Sequence, residues 1–315
     1  MSSVFGVGGN RPLRIAIAGV GKIARDQHIP ALMADPAFAL VAAMTLEGGV
    51  DGLPVHRSID ALLRGGHALD AIAICTPPTD RGAIAVAAID AGVAVMLEKP
   101  PAATLSEIAL IAARAAARGV TLFAAWHSRE AAGVDAARAW LADRAIDRVA
   151  VFWREDIRRW HPGQDWILAE GGFGVFDPGI NALSIVTRIL PQPLIVERAE
   201  IFVPKARQAP ISANAVMRSG QIPVTINLDF LHQGEQQWDI DVSAGGDTLK
   251  LRQGGRIIKV DGRLTEGAND EYPRLYRKFH ALVTSGQSDV DVAPLRLVAD
   301  ILRVAVRRDA PEFEW

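Results

Sequence analysis

Along the first part of the chain the apolar positions fall in short unbroken runs: LRIAIAGV (13–20), ALVAAMT (39–45), DAIAICT (70–76), VAVMLEK (93–99) and VTLFAAW (120–126). Continuous apolar character, rather than alternation, marks a strand covered on both faces. The segments between them carry helical spacing. The clearest are RGAIAVAAIDAG (81–92), closed by Gly92, and TLSEIALIAARAAARG (104–119). The second opens with Thr104 and Glu107 at capping-box spacing and closes with Gly119. Strand and helix alternating in this way predict a doubly wound parallel sheet with right-handed crossovers, an α/β domain of Rossmann type over 1–127.

Beyond residue 127 the rhythm changes. A helix at about 130–142 and a strand at about 147–155 lead into a loop rich in Trp, Gly and Pro, WHPGQDWILAEGGFG, and then a helix over roughly 178–190. Strands follow without helices between them: PLIVERAEIFV, SANAVMRS, IPVTINLDF, QQWDIDVSA, TLKLRQ and RIIKV. In IPVTINLDF, Ile222, Val224, Ile226, Leu228 and Phe230 alternate with Pro223, Thr225, Asn227 and Asp229, which gives a sheet with one dry and one polar face. The pattern predicts an α+β second domain over 128–315, with a large open, mainly antiparallel sheet packed on the helix at 178–190. Two terminal helices, at about 271–285 and 294–307, could pack back onto the first domain.

Composition narrows the classes of function. Of 315 residues half are apolar and 22% charged, enough for two cores. The formal net charge is −2 and basic residues are scattered or paired with acids, as in RVAVFWREDIRR, which disfavours nucleic acid as a partner. Cys75 is the only cysteine, so an intramolecular disulfide and a multi-cysteine zinc site are excluded. It lies in an apolar strand, where packing is the expected role. The histidines lack metal-ligand spacing, and no metal is expected. The N-terminal MSSVFGVGGNRPLR has no apolar core of signal-peptide length, and no apolar segment is long enough to cross a bilayer. A cytoplasmic protein without a membrane partner is the expectation.

The first strand runs into AGVGKIARDQHIP, in which Gly19, Gly21 and Ala24 stand as G-x-G-x-x-A. Gly19 permits a tight turn, Gly21 removes the side chain that would block a pyrophosphate, and Ala24 lets helix and strand approach. A turn that follows the first strand and opens a helix in a βα series is a dinucleotide signature, so Lys22 and Ile23 join the expected cofactor contacts. The second strand ends in TLEGG, where Thr45 and Glu47 stand at the ribose-reading position. An acidic side chain there accepts from the 2′-hydroxyl and repels a 2′-phosphate. A solvated loop glutamate is the competing reading. With no arginine beside Thr45 and Leu46, NAD is favoured over NADP.

Ligands of such sheets sit beyond the carboxyl ends of the strands. Thr76 and Pro77 lie at one such end, and Glu98 and Lys99 at another. Glu98-Lys99 could be an ordinary surface charge pair, but Pro100 restricts the backbone of Lys99 and so the direction of its ammonium group. In FDPGIN, Asp177 and Asn181 share a helix face at i, i+4. Asp177 could be a plain N-cap with Pro178 at N1. Asn181 inside a helix is unfavourable without a partner.

AIAGVGKIARDQHIPAL, DAIAICTPPT, VAVMLEKPPA and FDPGIN, in this order, resemble the glucose–fructose oxidoreductase/inositol dehydrogenase family over nearly the whole chain. EKPP, the WHS segment, RRWHPGQDW and FDPGINALSIVTRILP are similar to its bacterial aldose 1-dehydrogenases acting on L-arabinose and D-galactose. The resemblance implies a cis Lys99–Pro100 bond, a small aldose substrate, and oxidation of its anomeric carbon to a lactone. It implies Lys99 or Asp177 as the base, best treated as one coupled acid–base unit, with Asn181 orienting the hydroxyl. Trp160, Glu155 and His161 would form a sugar pocket, with His127 and Trp238 as further walls by the same resemblance, while Trp153 and Trp166 are read as core or interface. The likeness breaks at TLE (45–47), where the arabinose enzymes carry a Ser-Arg pair, so their NADP use does not transfer. A cyclitol dehydrogenase and a non-catalytic sugar or NAD sensor are the rival readings. The open sheet could support a homo-oligomer.

Overall fold

The computed structural model describes residues 11–315. Most of the N-terminal stretch searched above for a signal peptide lies outside them. The chain forms two compact units. One runs through Trp126 and also takes in Tyr272–Val292; the other comprises His127–Glu271 and Ala293–Trp315. The first boundary falls at 126/127, where it was expected, and the division is discontinuous because a later segment returns to the first unit. Pattern along a chain does not show which unit a late helix joins.

In the first unit, β1 (Leu13–Ala18), β2 (Phe38–Met44), β3 (Val55–His56), β4 (Ala71–Ile74), β5 (Ala94–Leu97) and β6 (Leu122–Ala124) pair in parallel, in the order β3-β2-β1-β4-β5-β6. This is the doubly wound order, with its switch point between β1 and β4. Every residue of β4 and β5 is buried, as unbroken apolar runs require when helices cover both faces. A helical run over 22–34, π-wound at Ala24–His28 and regular at Ile29–Ala34 (α1), follows β1. The later connections are α2 (Ile59–Arg64), α3 (Pro78–Asp90) and α4 (Leu105–Arg118). At the start of α4 the Thr104 side chain accepts from Glu107 N, and Gly119 closes the helix at φ 63°. The Glu107 carboxylate accepts from Ala103 N, one residue before the partner that a capping box would give it.

The second unit is built on a nine-stranded mixed sheet. Its strands are β7 (Ile146–Arg154), β8 (Leu194–Pro204), β9 (Ser212–Ser219), β10 (Ile222–Asp229), β11 (Gln237–Ala244), β12 (Asp247–Arg252), β13 (Ile257–Val260), β14 (Arg263–Glu266) and β15 (Val306–Ala310). They lie in the order β14-β13-β12-β11-β7-β10-β9-β8-β15. All neighbours are antiparallel except β7–β10 and β8–β15. Val224, Ile226, Leu228 and Phe230 are buried while Pro223 and Thr225 are exposed, so the expected dry face is there. Helix α7 (Phe176–Ile189) approaches it closely: a Cβ on Gly179 would stand 2.6 Å from Leu228 Cδ1. Helix α5 (Val134–Leu141) starts later than expected, after a 3₁₀ turn at His127–Glu130. A four-residue α6 (Ile157–Trp160) follows β7.

In the last third the two terminal helices part: one packs back onto the first unit, as the sequence pattern allowed, and the other does not. Helix α8 (Glu271–Ser285) belongs, from Tyr272 on, to the first unit. Its buried stripe Tyr272, Leu275, Tyr276 and Phe279 shares a core with Leu13, Ile15, Phe38, Met96 and Phe123. Helix α9 (Ala293–Val304) stays with the second unit and ends three residues before the expected limit. Val306–Ala310 instead pairs with β8 as an edge strand, with Arg307 and Arg308 exposed. The helical period of VADILRVAV runs across that boundary and hides it, whereas charges suit an edge strand that must not pair further. Strand β14, exposed throughout, carries no apolar signal at all. Among the described residues no helix is long and apolar enough to cross a membrane.

Because Phe279 is fully buried and stacks at 6.1 Å on Phe123, Phe279→Ala should destabilise the protein by about 3–5 kcal/mol, read as a shifted urea midpoint. A change under about 0.5 kcal/mol, the range of surface substitutions, would show that α8 is not part of that core.

Candidate active site

The dinucleotide turn is built by close packing at the sheet's switch point. Gly19 has φ +86°, and its N–H donates to Met44 O at 2.8 Å. A Cβ there would lie 2.7 Å from Thr76 N and 2.9 Å from Cys75 C, so only glycine fits. Gly21 differs: nothing lies within 4 Å of the position its Cβ would take. That open cradle at the head of a helical run is what a pyrophosphate needs, so the residues present fit a bound dinucleotide. Ala24 is buried and Ile23 half-buried, while the exposed Lys22 pairs with Asp26. Past β2 the Thr45 hydroxyl donates to Glu47 O at 2.8 Å, and the Glu47 side chain is exposed. Arg25, although distant in sequence, brings Nη2 to 2.9 Å from the Cβ position of Gly48. About twenty residues separate it from Thr45 and Leu46, so the sequence around the end of β2 gives no sign of it.

Strand β5 delivers Glu98 and Lys99, and the Lys99–Pro100 bond is cis. The Glu98 carboxylate, placed above among the cofactor contacts, is only 2% exposed and accepts from Tyr272 Oη at 2.7 Å. His28 Nε2 stands 3.5 Å from the same oxygen without the alignment of a hydrogen bond, and His28 Nδ1 is 2.8 Å from Tyr276 Oη. The Arg81 guanidinium, 4% exposed, donates from Nε to Thr76 O at 2.8 Å and from Nη1 to the carbonyls of Glu98 and Pro100. A cation in the first turn of an apolar helix was the available signal for Arg81, since the helix terminus there is already positive. Desolvation, helped by the charge of Glu98, pushes the Cys75 thiol far above the ordinary thiol range, which leaves it a packing residue.

In the second unit, α7 carries Asp177 and Asn181 one turn apart. Val175, not Asp177, holds the N-cap position, so the plain capping explanation for Asp177 does not apply. Asp177 is nonetheless 7% exposed, deep for a carboxylate. Asn181 is half-buried, and among the described residues its side-chain amide takes no hydrogen bond. Glu155, 2% exposed just past β7, accepts from Trp238 Nε1 at 2.7 Å through Oε2 and lies 3.0 Å from His161 Nε2 through Oε1. Trp160 packs on Trp238 with ring centres 4.9 Å apart. These four expected sugar-pocket residues therefore meet in one cluster. Its carboxylate binds the two neighbouring side chains, which fixes their ring orientations. His127 lies in the 3₁₀ turn, with Nδ1 2.6 Å from Glu271 Oε2. Trp153 is core, stacked behind Trp238 at 6.1 Å, whereas Trp166 is 41% exposed and not a core residue. Among the described residues no group of three or more His, Cys, Asp and Glu could hold a metal.

A doubly wound sheet with an open G-x-G-x-x-A cradle, and a lysine at the end of a strand near its switch point, defines a dinucleotide-dependent oxidoreductase class. Comparison with known proteins refines this. The family described as an oxidoreductase family with an NAD-binding Rossmann fold matches residues 13–126. A galactose 1-dehydrogenase of Pseudomonas fluorescens is 44% identical over 317 residues, spanning 96% of this chain and 99% of that protein. The solved structure of a D-galactose-1-dehydrogenase from Rhizobium etli aligns with a TM-score of 0.94 at 46% identity, over 97% of this chain and 99% of that one. A 3-ketoreductase from Actinomadura kijaniata, in complex with NADP and TDP-benzene, shares the fold, with a TM-score of 0.83 at 18% identity over 95% and 100% of the two chains. The chain belongs to this NAD-binding oxidoreductase family.

Gly19→Ala would force the β4 backbone away from the turn. NADH affinity, measured by fluorescence titration, should fall at least about tenfold, which corresponds to the ~1.4 kcal/mol scale of one strained backbone position. Unchanged affinity would remove this turn from the cofactor site.

Proposed function

We propose that the chain is an aldose 1-dehydrogenase that oxidises the anomeric carbon of D-galactose, and of the related pyranose L-arabinose, to the lactone. The carrying observation is the Glu155–His161–Trp238–Trp160 cluster in a chain so similar to two galactose dehydrogenases. Sugars present a C–H face and a rim of hydroxyls, which aromatic rings beside fixed polar groups suit. Here Glu155 acts mainly by orienting His161 and Trp238, and His161 and Trp160 face the sugar.

Oxidation breaks the C1–H and O–H bonds of the anomeric carbinol and forms a carbonyl. When bound, the nicotinamide supplies the acceptor for the hydride. The hydroxyl proton goes to Lys99 in its neutral amine form or to the Asp177 carboxylate, and the Asn181 amide hydrogen-bonds the reacting oxygen. The burial of Asp177 and the Asn181 amide, which takes no hydrogen bond among the described residues, support these roles. His127 is read as a further pocket wall. Glu47 at the end of β2 favours NAD, while Arg25 over Gly48 is the group a 2′-phosphate would meet, so NADP should be used less well. A cytoplasmic setting fits a chain with one cysteine.

A homo-oligomer could form through the nine-stranded sheet. A groove of about 530 Å³ runs over its strands, lined by Phe152, Val216, Asn227 and Val306 among others and by none of the site residues above. Light scattering should give a multiple of the 33.8 kDa chain mass; a monomer at all concentrations would refute pairing.

An absorbance screen with both cofactors should show NADH formation with galactose and arabinose, with NAD the more efficient, and a product that opens to the aldonic acid. Lys99→Met should lower turnover by about 10²–10⁴ with NADH binding nearly intact. No reduced cofactor from any aldose or polyol would sink the proposal, and a ring ketone as product would point to a cyclitol dehydrogenase.

A further inference from the structure

We propose that Arg81 is a positioning residue of the reaction, whose buried guanidinium holds Lys99 at a fixed place relative to the dinucleotide turn. The inference rests on the reading above in which Lys99 takes part in proton transfer.

Arg81 sits in the first turn of α3, where the helix terminus disfavours a cation, and it is almost wholly removed from water. Both features are unfavourable unless its donors are met. Three of its five are met by backbone carbonyls from the ends of two adjacent strands. Nε binds Thr76 O, just past β4; Nη1 binds Glu98 O and Pro100 O, just past β5. The last two flank Lys99 on either side, so the peptide that carries the lysine is held at both ends. The chain of contacts continues toward the cofactor, since Thr76 N and Cys75 C are the atoms packed against Gly19. Arg81 thus joins the turn that cradles the dinucleotide to the segment that carries the lysine, through the backbone carbonyls on either side.

The side-chain chemistry is specific. A guanidinium is a planar fork of five donors and can span both strand ends at once; an ammonium on a flexible stem can reach one. A lysine shifted by about 1 Å relative to the hydride acceptor can lose about 10²-fold in rate, so the link acts on the chemical step.

The test uses the full-length protein with Arg81→Ala and Arg81→Lys, the second in case the first does not fold. Both should cut turnover of galactose by about 10²-fold, raise the deuterium isotope effect on kcat with sugar labelled at C1, and leave NADH affinity within about threefold. Millimolar methylguanidinium should restore part of the activity of Arg81→Ala, saturably. In a Lys99→Met background the Arg81 change should cost little more, because it acts through the lysine. Independently of any substrate, amide hydrogen exchange should rise at Thr76 and at the amide-bearing residues of 98–102, namely Glu98, Lys99 and Ala102, while α4 stays protected. Equal loss of NADH affinity and turnover, full additivity with Lys99→Met, or unchanged exchange over 98–102 would each overturn the proposal. Wild-type protein that reduces neither cofactor would instead overturn the proposed function, and the exchange result would still judge the link itself.

Discussion

The Glu98 carboxylate is buried inside the first unit one residue before Lys99, and a carboxylate so placed is tolerated only if it is hydrogen-bonded. Its donor is Tyr272 Oη, supplied by a helix 174 residues later in the chain. Around this bond His28 and Tyr276 add a second buried polar pair, and the rings of His28 and Tyr272 meet edge-on at 4.8 Å. The same helix face fills the core over Leu13, Phe38 and Phe123. Core packing and the setting of the strand end that carries the lysine therefore depend on one element. Polar networks of this kind are rigid when complete and costly when half satisfied, and here His28 Nε2 is the atom left without a hydrogen bond among the described residues.

In the second unit the equivalent constraint is how closely α7 lies on β10. Gly179 removes the side chain that would push the helix off Leu228, and the helix that carries Asp177 and Asn181 is seated by that approach. The carboxylate of Glu155 then organises the aromatic wall from the other end of β7, with Trp153 backing Trp238 across the β7–β11 register. Each of these polar groups is placed by an apolar contact beneath it.

Much of this was legible before any coordinates. The parallel strands announced themselves as unbroken apolar runs because both of their faces are covered, and Thr104 and Gly119 marked the ends of α4 because capping is local chemistry. Gly19 and Gly21 were readable as a pair, although their physical reasons turned out opposite: one is crowded by β4, the other faces open space. What stayed hidden depends on which distant residues meet. Which of the two terminal helices joins the first unit, the reach of Arg25 to Gly48 and the three carbonyls around Arg81 leave no mark on periodicity. Strand β15 was lost inside a helical period, and β14 has no dry face to detect. The capping explanation for Asp177 failed because the helix begins one residue before it, a shift that the Asp-Pro pair alone does not disclose.

The chain passes between the two units at three places, after Trp126, after Glu271 and after Val292. Neither unit is thus a continuous stretch that could be cut out and grafted elsewhere. A fragment ending at Trp126 would expose the apolar residues that α8 covers and would strand the Glu98 carboxylate without its phenol. Any lineage that exchanges the second unit for another must bring its own return helix, shaped to the first unit it inherits. In this architecture the recombining module is an interleaved pair of segments, and compatibility at Tyr272, Tyr276 and Phe279 decides which chimaeras survive.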